Sequence, residues 1–122
     1  MHKRILEVTM NDCIFCKIIK GEITSTKIYE DDDMLIIKDV NPQAEIHYLL
    51  LPKEHYANII EMSDAQAATL AKCIKKLSSM VDSLGLSDGF RLVSNKGANG
   101  CQSVEHLHIH ILGGQKLSDR MG

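Results

Sequence analysis

The segment Glu105-His106-Leu107-His108-Ile109-His110-Ile111-Leu112 alternates histidine with aliphatic residues, and few local structures accommodate that pattern. In an extended strand successive side chains point to opposite faces. His106, His108 and His110 would then share one face and Leu107, Ile109 and Ile111 the other, whereas a helix would scatter both sets around its axis. A strand over Val104–Leu112 is therefore expected, with one face in the core and three imidazoles on the other. Neutral imidazole is a common zinc ligand, but at the rise of a strand His106 and His110 lie about 13 Å apart. Two neighbouring rings of an unkinked strand could hold one ion; three cannot converge on it. A row of partners along an extended substrate suits the spacing better. The middle ring, flanked by two others and largely neutral at pH 7, is placed as a nucleophile. The preceding loop, Asn95-Lys96-Gly97-Ala98-Asn99-Gly100-Cys101-Gln102-Ser103-Val104, supplies glycines, amides and a hydroxyl, the materials for donors around an oxyanion. Such donors are what phosphoryl transfer mostly requires.

The rest of the chain offers that strand a frame. A short helix is expected over Ile14, Phe15, Ile18 and Ile19, closed by Gly21. Lys27–Glu30 and Met34–Asp39 form a hairpin around the acidic turn Asp31-Asp32-Asp33. Asn41-Pro42 breaks the chain before the apolar strand Ile46–Leu51, which carries His47 and ends at Pro52. Ser63–Leu84 reads as one long helix: Ser63 and Gln66 make a capping box, Leu70, Ile74, Leu77, Val81 and Leu84 form its apolar stripe, and Gly85 ends it. Phe90–Asn95 is a further strand. Consecutive strands around one long helix make an α+β domain with a mostly antiparallel sheet. At 122 residues the chain suits a single domain over residues 12–122, with 1–11 an N-terminal extension.

Charge and cysteine content narrow the function. Setting 14 Lys+Arg against 16 Asp+Glu leaves a net charge of −2, so no broad cationic surface can hold a nucleic-acid polymer by counterion release. No apolar run approaches the roughly 20 residues of a membrane span, and no secretion signal is evident; a soluble, cytoplasmic protein is expected. The cysteines are read as reduced, with Cys73 on the helical stripe as core packing. Cys13-x-x-Cys16 has the spacing of a metal-ligand or redox pair. A redox role of the thioredoxin kind would need a strand before the pair, and only the following helix is evident; two thiols buried beside the core are the plainer alternative.

Taken together, His106-Leu107-His108-Ile109-His110-Ile111-Leu112, the Gly100-x-Gln102-Ser103-Val104 segment, Asp39-Val40-Asn41-Pro42-Gln43-Ala44, His47 ahead of Leu51-Pro52-Lys53-x-His55, and Phe15-x-Lys17-Ile18-Ile19 resemble the histidine triad (HIT) family. The likeness is to its nucleotide-binding phosphoramidase branch, in order from about Asp12 to Gly114. The resemblance implies a five-stranded sheet with one long helix and a short N-terminal one, paired into a homodimer by the long helix and a strand. A small-residue face of Ala65, Ala68 and Ala71 fits such pairing. It also implies hydrolysis or transfer at the α-phosphate of AMP or GMP derivatives, phosphoramidates above all, with His108 as the nucleophile forming a nucleotidyl-imidazole. His110 and Ser103 would contact the phosphate and assist the leaving group, Asn95 would donate to the phosphate region, and His106 and His47 would support the nucleophile. Asp39 would hold the ribose hydroxyls. Phe15, Ile18, Ile23, Ile37 and Val40 would form the slot for the base, with Gln102 and Val104 also among the substrate-binding residues. Some relatives bind a structural zinc through two cysteines and two histidines, which here would be Cys13, Cys16, His55 and His106. Thr24 stands where the family often has proline and Cys101 where this branch often has a second glycine. The remaining functional alternatives are a nucleotide-binding interaction module with negligible catalysis and a metal-dependent hydrolase using the histidine row.

Overall fold

The computed structural model describes residues 12–121; the expected extension over 1–11 lies outside the described residues. Helix α1 (Ile14–Ile19) leads into strands β1 (Lys27–Glu30), β2 (Met34–Lys38) and β3 (Ile46–Pro52), then helix α2 (Asp64–Ser78) and strands β4 (Phe90–Ser94) and β5 (Ile109–Gly113). The strands form one sheet in the order β1-β2-β3-β5-β4, and every neighbouring pair is antiparallel. The α+β class and the antiparallel sheet are as expected.

Local chemistry accounts for each junction. Asp31 Oδ1 accepts from the backbone N–H groups of Asp33 and Met34, at 2.8 and 2.9 Å, and so closes the β1–β2 turn. Cys13 caps α1, its sulfur accepting from the Cys16 N–H, and Gly21 follows with φ of 82°, a left-handed position that suits glycine. Ser63 and Gln66 form the full capping box of α2.

Two expected elements come out several residues shorter, while Met34–Asp39 and Phe90–Asn95 each end one residue early, at Lys38 and Ser94. Helix α2 ends at Ser78 instead of running to Leu84, because Ser78 and Ser79 turn their hydroxyls back onto the carbonyls of Lys75 and Lys76, at 2.6 Å each. The chain continues in tight turns to Gly85. The last strand begins at Ile109 instead of Val104. Continued pairing with β3 would set Leu107 near Pro52, which has no N–H to give. The Leu107 N–H itself bonds the Tyr56 carbonyl at 2.7 Å, so the segment before Ile109 leaves the ladder.

The side-chain alternation survives that departure. Leu107, Ile109 and Ile111 pack with Met34, Ile36 and Leu50 under Leu70, Cys73 and Leu77 of α2. The opposite face carries Leu35, Ile37, Leu49 and Leu51 against Cys13, Phe15, Cys16 and Ile18 of the α1 region. Strands β2 and β3 are buried on both sides because a helix covers each face, which explains their unbroken apolar runs. Each well-buried aliphatic side chain contributes about 1.5–3 kcal/mol. The histidines sit on the α1 face, where α1 covers only part of the sheet and leaves a cleft.

Candidate active site

A cleft of about 290 Å³ opens between α1, the segment after it, and the ends of β2 and β5. Phe15, Ile18, Ile23, Ile37 and Val40 line it together with Asp39, Ser103, Val104, His108 and His110. Those ten residues, separated widely in sequence, are brought to one site. Ile14, Thr24, Ser25, Lys38 and Leu49 line it as well and were missed. Leu49 lies directly across from His110 in the β3–β5 register, so its position follows only from strand pairing. Asn95 and Gln102 are not among the lining residues. Asn95 follows the last paired residue of β4, where Ser94 faces Ile109. Gln102 is spent within the loop: its Oε1 accepts from the Gly97 N–H at 3.1 Å, and its Nε2 donates to the carbonyls of Ala57 at 2.6 Å and Val104 at 3.0 Å. The loop is folded tightly by its own chemistry, since a Cβ on Gly100 would stand 2.7 Å from the Lys96 carbonyl oxygen.

The hydrogen bonds of His108 decide what its ring can do. Its Nδ1 lies 2.8 Å from the backbone carbonyl of His106; a carbonyl only accepts, so Nδ1 carries the proton and Nε2 keeps its lone pair. The ring is 6% exposed, wedged edge-on against Phe15 with centroids 5.0 Å apart and against His110 at 5.2 Å. A fixed neutral imidazole lining a cleft with its Nε2 electron pair unspent is chemically a nucleophile. Beside it, His110 Nδ1 lies 2.9 Å from His47 Nε2. Burial, then the neighbouring His108 and His47, pushes the His110 ring below the ordinary histidine value, partly offset by Asp39. His47 stands behind this layer, not in the cleft. Asp39 closes the turn after β2, Oδ1 accepting from the Asn41 N–H at 2.8 Å, with Oδ2 3.3 Å from His47 Nε2. Its carboxylate serves the turn and still borders the cleft.

His106 turns to a different centre. Cys13, Cys16, His55 and His106 each offer one atom, all within 4.8 Å of one another. Cys13 Sγ and Cys16 Sγ lie 3.4 and 3.5 Å from His106 Nδ1; His55 Nδ1 lies 3.2 Å from both Cys16 Sγ and His106 Nδ1. His106 Nε2 is 2.9 Å from the Pro52 carbonyl, so that nitrogen holds the ring proton and Nδ1 points a lone pair at the sulfurs. This is the outer hydrogen bond that orients a metal-binding imidazole. Burial, followed by the Cys13 neighbour, raises the Cys16 thiol to about 12, and burial with nearby His55 and His108 lowers His106 to about 4 despite the Pro52 bond. A bare His106 Nδ1 beside His55 Nδ1 and two thiols is a donor set that fits a divalent ion with tetrahedral preference. All four cysteines are free, and Cys73 is buried in the core as expected.

An open antiparallel sheet that presents alternating histidines to a cleft beside a Cys₂His₂ cluster defines a narrow class of small α+β domains. The model of the HIT domain matches residues 20–117, and the chain belongs to the HIT family. A histidine triad protein from Clostridium difficile superposes with a TM-score of 0.85 at 44% identity, covering 89% of this chain and 96% of that one. A HIT family hydrolase from Legionella pneumophila Philadelphia 1 gives 0.86 at 39% identity, covering 91% and 100%. A 14 kDa zinc-binding protein of Brassica juncea is 38% identical over 109 residues, 88% of this chain and 96% of that protein. Among the described residues no helix is long and apolar enough to cross a membrane.

Proposed function

We propose that the protein is a purine nucleoside phosphoramidase, hydrolysing AMP or GMP derivatives at the α-phosphate through a nucleotidyl-His108 intermediate. The observation that carries the reading is the hydrogen bond from His108 Nδ1 to the His106 carbonyl, which leaves Nε2 as a free electron pair at the wall of the cleft. His108 Nε2 forms a bond to phosphorus as the P–N bond to the amine breaks, and the amine leaves after taking a proton from solvent. Water then attacks phosphorus and gives up a proton to solvent, the P–N bond to His108 breaks with its electron pair returning to Nε2, and the nucleoside monophosphate is released with the ring restored. His110 and Ser103 donate to the phosphate oxygens during both steps. Phe15, Ile18, Ile23, Ile37 and Val40 hold the base by apolar contact, Asp39 receives the ribose hydroxyls, and Val104 adjoins the phosphate. Gln102 acts by shaping the donor loop. Asn95 approaches the phosphate from the end of β4.

Cys13, Cys16, His55 and His106 hold a structural zinc in this reading, supported by their mutual distances and by the zinc-binding relative. The ion ties α1 to the segment before β5 and supplies no chemistry to the cleft. The protein works as a cytoplasmic homodimer; support comes from free thiols and from apolar side chains left exposed, Phe90 and Leu92 at 40% and 36% on edge strand β4 and Ile74 on α2. The test is steady-state hydrolysis of an AMP phosphoramidate with and without a chelator. Turnover that survives chelation while thermal stability falls supports a phosphoramidase with structural zinc. Outright loss of turnover in a still-folded protein would make the ion a catalyst, and AMP binding without turnover would reduce the chain to a binding module.

A further inference from the structure

The turn between β2 and β3 brings the main-chain N–H of Gln43 to 3.0 Å from Nδ1 of His47. A donor needs a lone pair in front of it, so Nδ1 of His47 carries no proton and the neutral ring holds its proton on Nε2. That nitrogen faces two acceptors, His110 Nδ1 at 2.9 Å and Asp39 Oδ2 at 3.3 Å. Nδ1 of His110, receiving the bond, is a lone pair in turn, which puts the His110 ring proton on Nε2, the nitrogen turned away from His47.

We infer that the Gln43 main-chain N–H, acting through His47, holds His110 as the neutral Nε2–H tautomer, so that His110 meets the substrate phosphate as an uncharged hydrogen-bond donor and not as an imidazolium acid. The phosphate end rests on the proposed function; the tautomer chain rests on the hydrogen bonds alone. Charging His110 would set a proton on Nδ1 opposite the Nε2–H of His47. Relief would require His47 to carry its proton on Nδ1 instead, directly opposite the Gln43 N–H. The groups facing His110 are His108 on β5, His47 on β3 and Asp39 at the end of β2; the first two oppose a charge there and only Asp39 favours it. The same geometry sets aside a divalent ion among Asp39, His47 and His110, although their donor atoms also lie within 4.8 Å. An ion on Nε2 of a neutral His47 would force the ring proton to Nδ1, against Gln43. Gln43 is thus a positioning residue, and its exposed side chain takes no part.

Nitrogen-15 NMR of the full chain labelled at histidine, without nucleotide, reads the tautomers directly between about pH 5.5 and 8. His47 is expected with Nε2 protonated and Nδ1 bare by roughly tenfold or more, the scale of a retained hydrogen bond, and His110 is expected to stay neutral at pH 6.5. A protonated Nδ1 on His47, or an imidazolium His110 at that pH, overturns the inference. Gln43→Ala keeps the main-chain donor and should keep the tautomer; its loss there would overturn the main-chain assignment. Gln43→Pro removes the donor and should erase the preference, and an unchanged tautomer in the folded variant would overturn the coupling. Should Gln43→Pro not fold, the wild-type spectra still decide. Because these spectra need no turnover, opposite tautomers in an active phosphoramidase sink only this inference, while the expected tautomers in a protein without turnover sink only the proposed function.

Discussion

Truncating the proposed nucleophile, His108→Ala, separates chemistry from stability because the two expected losses differ greatly in size. The ring gives up its bond to the His106 carbonyl, 2.8 Å long, about 0.5–1.5 kcal/mol. It also gives up edge contacts with Phe15 and His110 at 5.0 and 5.2 Å, together about 1–3 kcal/mol. A total of about 1.5–4.5 kcal/mol falls below the stability of an ordinary domain, roughly 5–15 kcal/mol, so most of the variant stays folded at 25 °C. Deleting the attacking group of a covalent enzyme costs on the order of 10⁶ in kcat, about 8 kcal/mol of transition-state stabilisation. The variant should therefore keep its circular-dichroism spectrum and bind AMP with little change, while hydrolysis of an AMP phosphoramidate falls by several powers of ten. Wild-type enzyme quenched in acid should carry one nucleotidyl group per active chain by mass spectrometry, and the variant none. Turnover of the folded variant within about tenfold of wild type would refute the covalent route.

Cys16→Ala should abolish the binding of one zinc per chain measured by plasma emission spectrometry and lower the melting temperature, since it deletes a sulfur 3.2 Å from His55 and 3.5 Å from His106. The buried Cys73 thiol is raised from 9.0 to about 11, chiefly by burial and then by the charges of Asp31 and Asp33. Its contribution is complete below pH 9 and fades as pH rises toward 11, because the unfolded thiol ionises first; urea titrations should show about 1–2 kcal/mol lost between pH 8 and pH 10.5 in wild type beyond that in Cys73→Ala. Ser63→Ala deletes the hydroxyl that accepts from the Gln66 N–H at 3.1 Å, keeping the main-chain N–H of the capping box, and should cost about 1 kcal/mol in chemical unfolding. Leu50→Ala, fully buried on the central strand, should cost about 2–5 kcal/mol.

Much of this protein was written locally. Alternation at residues 106–111 decided which side chains enter the core and which face the cleft, because side-chain direction in extended backbone depends on nothing beyond the chain itself. The Ser63–Gln66 cap, the Asp31 turn and the helix over Ile14–Ile19 were legible for the same reason. Element ends were less so: Ser78 and Ser79 stopped α2 through hydroxyl bonds to carbonyls three residues back, which compete with an apolar stripe that runs on to Leu84, and the β5 ladder stopped opposite Pro52, where the Leu107 N–H takes a Tyr56 carbonyl that only the folded chain supplies. Motif likeness assembled the residues of the cleft and of the cysteine cluster by order, but order carries no protonation state. Which nitrogen of His106, His108 or His110 bears its proton depends on the carbonyls of Pro52 and His106 and, through His47, on the Gln43 N–H. The His106 carbonyl and the Gln43 N–H are near neighbours in the chain, but the Pro52 carbonyl reaches His106, and His47 reaches His110, only when β3 and the β5 segment lie side by side. Sequence alone thus determined the faces of the sheet and the kinds of group available, and tertiary structure decided where the lone pairs of His106 and His110 point, because each is directed by the donor or acceptor that packing brings to the other side of the ring.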